Sequence, residues 1–220
     1  IFINPSQFNK KSDYKKYPRN LSRDIKILKR LKIDFLLLPI KNQIYKKKQN
    51  MKLKLNKKDK ILCAKYRKGH FEGVLAVINQ FLKTIKPKYM FLGKKDFQQL
   101  YLIKKFIKNK FKTKIVSCKT IRDKKMVALS SRNNLLNNKD LILSSQIAKL
   151  LLKFKQKLSK NFNKKNQIKK IKDEINKIEN IDLEYLEIRN KFDLSKKINK
   201  YNFKIFVAYY NRNVRLIDNY

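Results

Sequence analysis

The sequence has few of the residues on which several common functional sites depend. It contains one histidine and two cysteines in 220 residues, so it shows no His and Cys cluster with metal-ligand spacing and no nucleophile–His–acid triad with a convincing spacing. Cys63 and Cys118 do not have the spacing of a disulfide framework, and we expect free thiols in a reducing cytoplasm. No P-loop motif occurs, and no apolar run has the length of a membrane span.

Acidic residues are also scarce, since 58 Lys and Arg stand against 16 Asp and Glu and give a formal net charge of +42. This charge suggests a basic nucleic-acid-binding protein as an alternative function. The lysines are spread over nearly every segment, and Asn and Ile are also abundant, as in proteins from AT-rich genomes. We therefore expect nonspecific polyanion binding that weakens with salt, and no specific nucleic-acid partner. The run Lys46, Lys47 and Lys48 predicts a solvated loop rather than a site.

Only 9 of the 58 basic residues are arginines. Lysine cannot replace arginine where a planar group binds two oxygens at once, so an arginine kept in a lysine-rich background is informative. Five of these arginines fall in or beside the segments described next: Arg19, Arg67, Arg122, Arg132 and Arg215.

The stretch from Leu92 to Leu100 is the most informative in the chain. The apolar run Tyr89–Leu92 stops at a glycine, two lysines, an acid and two glutamines come next, and apolar residues then recur at helical spacing. This order predicts a strand, a tight turn and a helix, with the polar residues at the strand's carboxyl end, where open α/β sheets bind ligands. The ligand candidates are Gly93, Lys94, Lys95, Asp96, Gln98 and Gln99.

Each of these residue types suits a particular contact. Gly93 allows a sharp turn or the close approach of a ligand, and Lys94 and Lys95 suit phosphate. Asp96 is expected to cap the helix or contact a metal-bound group, and the two glutamines supply donors and acceptors. A capped helix with a solvated basic start is the alternative, and both interpretations stay open at this point.

The first 39 residues predict a strand, a helix and a second strand. Ile1–Ile3 is apolar and ends two residues before a proline, Leu21–Leu31 has apolar residues on one helical face, and Phe35–Leu38 is an unbroken apolar run closed by proline. Asn4 and Gln7 would then lie at the carboxyl end of a strand, in contact with a ligand or, alternatively, in a self-contained polar turn.

Two further segments carry residues that suit anions. Arg67 and His70 stand just before a predicted apolar helix, and the backbone N–H groups of a helix start bind anions. Packing or capping is the alternative role for the histidine. Ser130, Ser131 and Arg132 follow an apolar run and suit a phosphate clamp, with an N-cap and a surface arginine as the alternative.

The sequence changes in character near residue 138. Two helices are predicted at 141–158 and 163–179, and three strands at 182–189, 203–210 and 214–217, the last two as a hairpin. Helices followed by a small antiparallel sheet indicate a separate α+β lobe.

Six segments of the chain resemble the pantoate–β-alanine ligase family, in the same order and with the same spacing. The segments are Ile1–Phe8 (IFINPSQF), Tyr17–Arg19 (YPR), Gly69–Val74 (GHFEGV), Gly93–Leu100 (GKKDFQQL), Ala128–Asn133 (ALSSRN) and Arg215–Asn219 (RLIDN). Each segment is short, but together they run from one end of the chain to the other.

The resemblance implies a fold and a reaction. The fold class is α/β, with a Rossmann-like parallel-sheet nucleotidyltransferase domain in residues 1–121 and a smaller C-terminal α+β lid in residues 122–220. The implied protein is a cytoplasmic, homodimeric ligase of coenzyme A biosynthesis, with ATP and Mg²⁺ as cofactors and no membrane contact. It adenylates pantoate with release of pyrophosphate, and β-alanine then attacks the pantoyl adenylate to give pantothenate and AMP.

The resemblance also implies roles for single residues. Gln7 and Gln99 bind pantoate, and Gln7 also borders β-alanine. The implied ATP-binding residues are Gly93, Lys94, Lys95, Asp96, Ile121, Leu129, Ser130, Ser131 and Arg132. Of these, Lys95 and Arg132 support catalysis through the phosphates. Weaker candidates around the pocket are Asn4, Tyr17, Arg67 and His70, and no residue is assigned to a metal.

Two departures from the family pattern matter. The family's first signature, P-T-M-G-x-L-H-x-G-H, lies upstream of the segment that matches Ile1–Phe8, so the catalytic histidines are not in this chain. We therefore expect an N-terminally truncated ligase that is marginally folded and inactive by itself. The second departure is Met126, where the family often has glycine. The alternatives are a nucleotidyltransferase of the same superfamily that uses another acid, and a non-catalytic remnant of the ligase.

Overall fold

The computed structural model of the protein describes residues 1–8, 11–44, 53–162 and 164–220. The predicted solvated loop at Lys46–Lys48 lies outside these ranges. The chain divides into two compact units, the first comprising Ile1–Met90 with Leu102–Ile115 and the second Phe91–Tyr101 with Val116–Tyr220. The predicted phosphate-binding lysines therefore belong to the second unit, and a domain boundary between residues 121 and 122 stays a prediction.

The helices and strands of the described residues follow one another in this order. Before the first strand lie α1 (Lys11–Lys16), α2 (Leu21–Arg30), α3 (Lys41–Ile44), α4 (Cys63–Tyr66) and α5 (His70–Ile85). Next come β1 (Tyr89–Gly93), α6 (Phe97–Ile107) and β2 (Lys114–Cys118). The last part contains α7 (Asn138–Lys160), α8 (Lys164–Asn176), β3 (Ile181–Asn190), β4 (Phe203–Asn211) and β5 (Val214–Asn219). Short 3-10 turns occur at Pro5–Gln7, Lys57–Asp59, Lys94–Asp96 and Ser131–Leu135.

Strands β1 and β2 pair in a two-stranded parallel sheet, with α6 in the connection between them. This arrangement confirms the α/β fold class and the strand, turn and helix predicted around Leu92–Leu100. The predicted apolar helix that follows Arg67 is also confirmed as α5. It is preceded by Gly69, whose φ of +79° is a left-handed conformation that glycine adopts without strain.

The two strands predicted in the first 39 residues are not formed among the described residues. Neither Ile1–Ile3 nor Phe35–Leu38 joins a sheet, although the amino group of Ile1 donates a hydrogen bond to the Leu37 carbonyl over 2.5 Å. Phe35 is 92 % exposed, so the prediction of a buried strand was wrong. An apolar run becomes a strand only when a neighbouring strand pairs with its backbone. The helix predicted between the two segments is confirmed as α2.

Strands β3, β4 and β5 form an antiparallel sheet in that order. The pairing places Ile188 opposite Ile205 and Ala208 opposite Ile217. The sheet shares a hydrophobic core with α7 and α8, which includes Leu151, Phe154, Leu158, Ile175, Leu186, Ile205 and Val207. The predicted α+β lobe is therefore confirmed in its helices, its strands and its hairpin.

Hydrogen bonds fix the start of α7 to the β4–β5 turn. Asn137 and Asp140 form a capping box at the first turn of α7. Asn211 donates to the Asp140 carbonyl over 2.7 Å, and Arg212 Nε donates to the Asp140 carboxylate over 2.9 Å. The helix and the hairpin are thus joined at one buried aspartate.

Candidate active site

The Lys94–Asp96 turn joins β1 to α6 at the place where the sequence predicts a ligand contact. Gly93 has φ −72° and ψ 135°, which is ordinary extended backbone, so of the two roles left open for this residue the sharp turn is not observed at Gly93 itself, and the predicted turn begins at Lys94. A side-chain carbon added at Gly93 meets no protein atom within 4 Å. This open space suits the close approach of a ligand, which stays a prediction.

Asn219, at the end of β5, anchors this turn. Its side-chain Nδ2 donates to the carbonyl oxygens of Lys94 and Lys95 over 3.0 and 2.7 Å. Asn219 is buried, where a hydrogen bond is electrostatically stronger than in water. The backbone of the turn is therefore held in place, and the two lysine side chains extend from a fixed base.

Lys95 and Asp96 contact each other within the turn. The Lys95 Nζ lies 3.8 Å from Asp96 Oδ1, and the Asp96 side chain is 46 % exposed. The carboxylate therefore contacts Lys95 rather than capping α6. Because a long, partly exposed ion pair contributes little to stability, ligand contacts can replace it at low cost.

Ile121 and the predicted phosphate segment lie side by side. The Leu129 N–H donates to the Ile121 carbonyl over 2.9 Å, and Arg122 and Ala128 form an antiparallel bridge. The side chains of Ile121 and Leu129 are both exposed. Two residues that the resemblance assigns to ATP are thus neighbours, and their apolar side chains suit contact with a flat purine ring.

Ser130 caps the 3-10 turn Ser131–Leu135. Its Oγ accepts a hydrogen bond from the Arg132 N–H over 3.2 Å. The N-cap role considered as the alternative for this segment is therefore observed for Ser130. Contact of Ser131 and Arg132 with phosphate stays a prediction.

Arg122, which sequence analysis noted without a role, donates four hydrogen bonds near these segments. Its guanidinium donates to both carboxylate oxygens of Asp218 over 2.6 and 2.9 Å, to the Met126 carbonyl over 3.0 Å and to the Asn219 carbonyl over 3.3 Å. It also lies 4.6 Å from the centre of the Tyr220 ring. Burial lowers the pKa of Arg122, but the hydrogen bonds and charge of Asp218 outweigh burial, so the pKa is raised.

Arg122, Asp218 and Asn219 together form what we call the Arg122 framework. Arg122 follows Ile121 in the chain, Asp218 binds Arg122, and Asn219 holds the Lys94–Asp96 turn. Sequence reasoning missed this framework, although the segment RLIDN contains two of its members. Arg122 and Asp218 are 96 positions apart, so no local pattern connects them.

Arg215, in the same segment, also forms a structural ion pair. Its Nε donates to the two Glu184 carboxylate oxygens over 3.1 and 3.2 Å, and its Nη2 donates to one of them as well. Since β3 and β5 are not neighbours in the sheet, this pair spans β4. Arg122 and Arg215 therefore each bind two oxygens of one carboxylate, as expected for arginines kept in a lysine-rich chain. The carboxylates belong to Asp218 and Glu184 of the protein itself, and not to a ligand.

In the first unit, Arg67 and His70 hold the backbone of Gln7. Arg67 Nη2 donates to the Gln7 carbonyl over 2.9 Å, and His70 Nδ1 lies 2.7 Å from the same oxygen. Arg67 Nη1 lies 3.0 Å from His70 Nε2. Because arginine can only donate, Nε2 accepts and the imidazole is neutral with its proton on Nδ1, from which it donates to Gln7. Direct ligand contact by Arg67 or His70 stays a prediction.

The other two weaker candidates, Asn4 and Tyr17, also make contacts within the first unit. Asn4 is buried and its Nδ2 donates to the Gly73 carbonyl over 3.1 Å. The Tyr17 ring lies 5.3 Å from the Phe8 ring, next to Gln7 in the chain. These contacts, with those of Arg67 and His70, surround the Pro5–Gln7 turn and fix the backbone from which the Gln7 side chain extends.

The two glutamines of α6 differ in exposure. Gln98 is buried, whereas Gln99 is only partly buried. The more accessible side chain is therefore that of Gln99, the one that the resemblance assigns to pantoate.

Two kinds of feature do not occur in the described ranges. No group of three His, Cys, Asp or Glu side chains is placed to hold a metal ion. No helix there has both the length and the apolar character needed to cross a bilayer.

The chain matches known proteins over its whole length. A sequence profile described as Pantoate-beta-alanine ligase matches residues 1–220. The pantothenate synthetases of Leptospira interrogans and Francisella philomiragia are 37 % and 36 % identical to it. Both alignments cover 100 % of this chain, and they cover 78 % and 77 % of the two relatives.

Solved structures of such enzymes have the same fold. Pantothenate synthetase from Thermus thermophilus matches with a TM-score of 0.90 at 25 % identity, over 100 % of this chain and 81 % of that one. The pantoate-beta-alanine ligase from Francisella tularensis, complexed with beta-gamma ATP and beta-alanine, matches with a TM-score of 0.81 at 35 % identity, over 100 % and 77 % of the chains. The chain belongs to the pantoate–β-alanine ligase family.

Proposed function

We propose that the protein joins pantoate to β-alanine at the expense of ATP, through a pantoyl adenylate, and releases AMP and pyrophosphate. The observation that carries this proposal is the Arg122 framework, which joins the Lys94–Asp96 turn to the segment at Ile121. The Francisella tularensis ligase, complexed with beta-gamma ATP and beta-alanine, supports the same chemistry. Nucleic-acid binding is the less favoured alternative, because the family match spans residues 1–220.

The proposed ATP site lies in the second unit. Its residues are Gly93, Lys94, Lys95, Asp96, Ile121, Leu129, Ser130, Ser131 and Arg132. Adenylation moves negative charge from the pantoate carboxylate onto phosphorus and then onto the leaving pyrophosphate. Fixed cations at Lys95 and Arg132 stabilise that charge without having to reorganise during the reaction.

The proposed pantoate contacts are Gln7 and Gln99, with Gln7 also beside β-alanine. An amide side chain offers both a donor and an acceptor, which suits a substrate with a carboxylate and hydroxyl groups. Arg67 and His70 would act through Gln7, because they fix its carbonyl and thereby the origin of its side chain.

The only histidine of this chain is bound to Gln7 and Arg67. It does not belong to the paired-histidine signature of the family. We therefore expect the 220-residue chain to bind ATP and pantoate but to release pyrophosphate slowly or not at all by itself. Pantoate-dependent pyrophosphate release at a rate typical of an enzyme, about 1 per second or faster, would contradict this expectation.

Mg²⁺ is proposed to enter with ATP rather than to occupy a site made of protein carboxylates. Mg²⁺ keeps several waters and is held through one or two carboxylates and the substrate phosphates. The half-exposed carboxylate of Asp96, in contact with Lys95, fits this requirement. The metal would neutralise phosphate charge, while Lys95 and Arg132 orient the phosphates.

A homodimer, a cytoplasmic location and a lid formed by residues 122–220 also belong to this proposal. The family resemblance supports all three. Cys63 and Cys118 are not bonded to each other, which agrees with a reducing compartment. Light scattering of the purified protein measures the oligomeric state directly.

Complementation tests the proposed function. The complete gene that contains this chain, with any coding sequence upstream of Ile1 included, is expected to restore growth without pantothenate in a strain that lacks pantoate–β-alanine ligase. A Lys95→Ala version of the same gene is the matched control and is expected to fail. Growth that is not restored despite normal expression would contradict the proposal, and a panel of other acids in a pyrophosphate-release assay would then identify a different substrate.

A further inference from the structure

Asn133, the last residue of the segment Ala128–Asn133, closes that segment into a loop with its side chain. Its Nδ2 donates a hydrogen bond to the Ala128 carbonyl over 3.1 Å, and its backbone N–H donates to the Ser130 carbonyl over 3.0 Å. The first bond fixes the orientation of the amide, because a carbonyl oxygen can only accept and must therefore face the NH₂ group. Neither sequence analysis nor the family resemblance gives Asn133 a role.

Arg132 lies inside the loop that the Asn133 side chain closes. Its backbone N–H donates to Ser130 Oγ over 3.2 Å. The two residues joined by the Asn133 amide are only five positions apart, so their bond leaves few conformations to the backbone between them. The amide therefore restricts the positions from which the Ser131 and Arg132 side chains extend.

The start of this loop is fixed to the Arg122 framework. Ala128 forms an antiparallel bridge with Arg122, whose guanidinium binds the Asp218 carboxylate. All of these residues belong to the second unit. Through Ala128, the Asn133 amide thus connects the loop that carries Arg132 to the Arg122 framework.

The Asn133 amide contributes little to the stability of the fold. Its Oδ1 is buried and accepts no hydrogen bond from any described residue. A buried acceptor without a donor costs at least as much free energy as a single hydrogen bond contributes. Asn219 has the same pattern, since its Nδ2 donates to the carbonyls of Lys94 and Lys95 while its Oδ1 is buried and has no donor among the described residues. Departures of this kind from full hydrogen bonding are expected at functional sites.

We propose that Asn133 is a positioning residue for ATP, which acts through Arg132 by holding the Ala128–Asn133 loop in one conformation. A loop that is fixed before binding does not have to be ordered by the ligand, and the guanidinium meets the phosphates without reorganisation. The inference rests on the proposed function in taking Arg132 as a phosphate ligand. It predicts that loss of the Asn133 amide weakens ATP binding while the stability of the fold changes little.

The experiment is calorimetric titration of the full chain with ATP, for wild type, N133A, N133S and the matched control N134A. Asn134 is the next residue of the same 3-10 turn, but it is exposed. Both Asn133 variants lose the bond to the Ala128 carbonyl, because alanine has no donor and the serine hydroxyl is too short to reach that oxygen. We expect them to bind ATP roughly tenfold more weakly than wild type, and N134A to stay within about twofold.

Two further measurements separate positioning from a general loss of structure. In a double-mutant cycle with R132A, N133A should have almost no further effect on ATP affinity, because the guanidinium that Asn133 positions is already absent. The midpoint of urea unfolding of N133A should stay within about 0.5 M of wild type, since removal of the buried Oδ1 offsets the lost hydrogen bond. A side chain needed only for folding would instead lower the midpoint and weaken ATP binding equally with or without Arg132.

Each contrary result has a definite meaning. ATP affinities of N133A and N133S equal to that of N134A would overturn the inference and leave the proposed function standing. An equal loss of affinity with and without the Arg132 guanidinium would overturn it as well, and so would the failure of both Asn133 variants to fold. If only N133A fails to fold, N133S takes its place in the cycle. A folded wild-type chain that binds no ATP would defeat the proposed ATP site and the inference together.

Discussion

Phe206 in the second unit is 4 % exposed and packs against the ring of Phe97, whereas Phe35 in the first unit is 92 % exposed. Both lie in runs of apolar residues. Phe206 belongs to a strand with a hydrogen-bonded neighbour on either side, and Phe35 belongs to a segment that joins no sheet among the described residues. The difference shows that an apolar run contributes to stability only where a partner covers it, and this chain contains both cases.

The largest difference in unfolding free energy is expected between two Phe→Ala substitutions, one at Phe206 and one at Phe35. Phe206→Ala removes a buried ring and should lower the free energy of unfolding by about 3–5 kcal/mol. Phe35→Ala removes an exposed ring and should change it by less than about 0.5 kcal/mol. Urea titration followed by circular dichroism measures both. Equal losses would show that the segment at Phe35 is covered in solution.

The second effect concerns the Arg122 framework. Asp218→Ala leaves the guanidinium of Arg122 without its carboxylate and should cost about 3 kcal/mol of unfolding free energy. The double variant R122M/D218L removes both charges and should recover most of that loss, because no unpaired charge remains. Asp96→Asn, in the long, partly exposed pair with Lys95, is the control and should cost less than about 0.5 kcal/mol. A double variant no more stable than Asp218→Ala would show that packing, rather than the unpaired charge, determines the loss.

A smaller effect tests how the first unit holds Gln7. His70→Asn keeps an amide donor where Nδ1 lies and should retain the bond to the Gln7 carbonyl, whereas His70→Gln places its amide near Nε2 and should lose that bond. A lost hydrogen bond of about 1 kcal/mol weakens pantoate binding roughly fivefold in His70→Gln alone. Calorimetric titration with pantoate, with unfolding curves for both variants, gives the comparison. Equal pantoate affinities would limit His70 to a general packing role.

The smallest effect concerns Met126, where the family often has glycine. Met126 has φ +71°, a left-handed conformation that costs a residue with a side chain roughly 1 kcal/mol. Met126→Gly removes this strain but adds flexibility to the unfolded chain, so a net gain of about 0.5 kcal/mol in unfolding free energy is expected. Met126→Ala, which keeps the strain, should show no gain in the same urea titration. A gain in both variants would point to the side chain rather than the backbone.

The helices and the hairpin could be predicted from the sequence because they depend on residues that are close together in the chain. The periodicity of apolar residues located α2, α5, α6, α7 and α8, and alternation and turn residues located the hairpin of β4 and β5. The runs at Ile1–Ile3 and Phe35–Leu38 were predicted as strands and are not, because strand formation depends on a partner that the run itself does not encode.

The candidate site shows the same limit. The position of the Lys94–Asp96 turn at a strand end followed from the sequence. What holds that turn did not, because Asn219 lies 124 and 125 positions away from the two lysines whose carbonyls it binds.

Asn219 is the member of the Arg122 framework that holds the backbone of both lysines of the proposed ATP site. Asn219→Asp keeps the shape but points a carboxylate at two carbonyl oxygens, and Asn213→Asp adds the same charge at an exposed position of the β4–β5 turn. In calorimetric titration with ATP, we predict that Asn219→Asp binds at least roughly tenfold more weakly than Asn213→Asp while remaining folded by circular dichroism. Equal ATP affinities of the two folded variants would contradict the account.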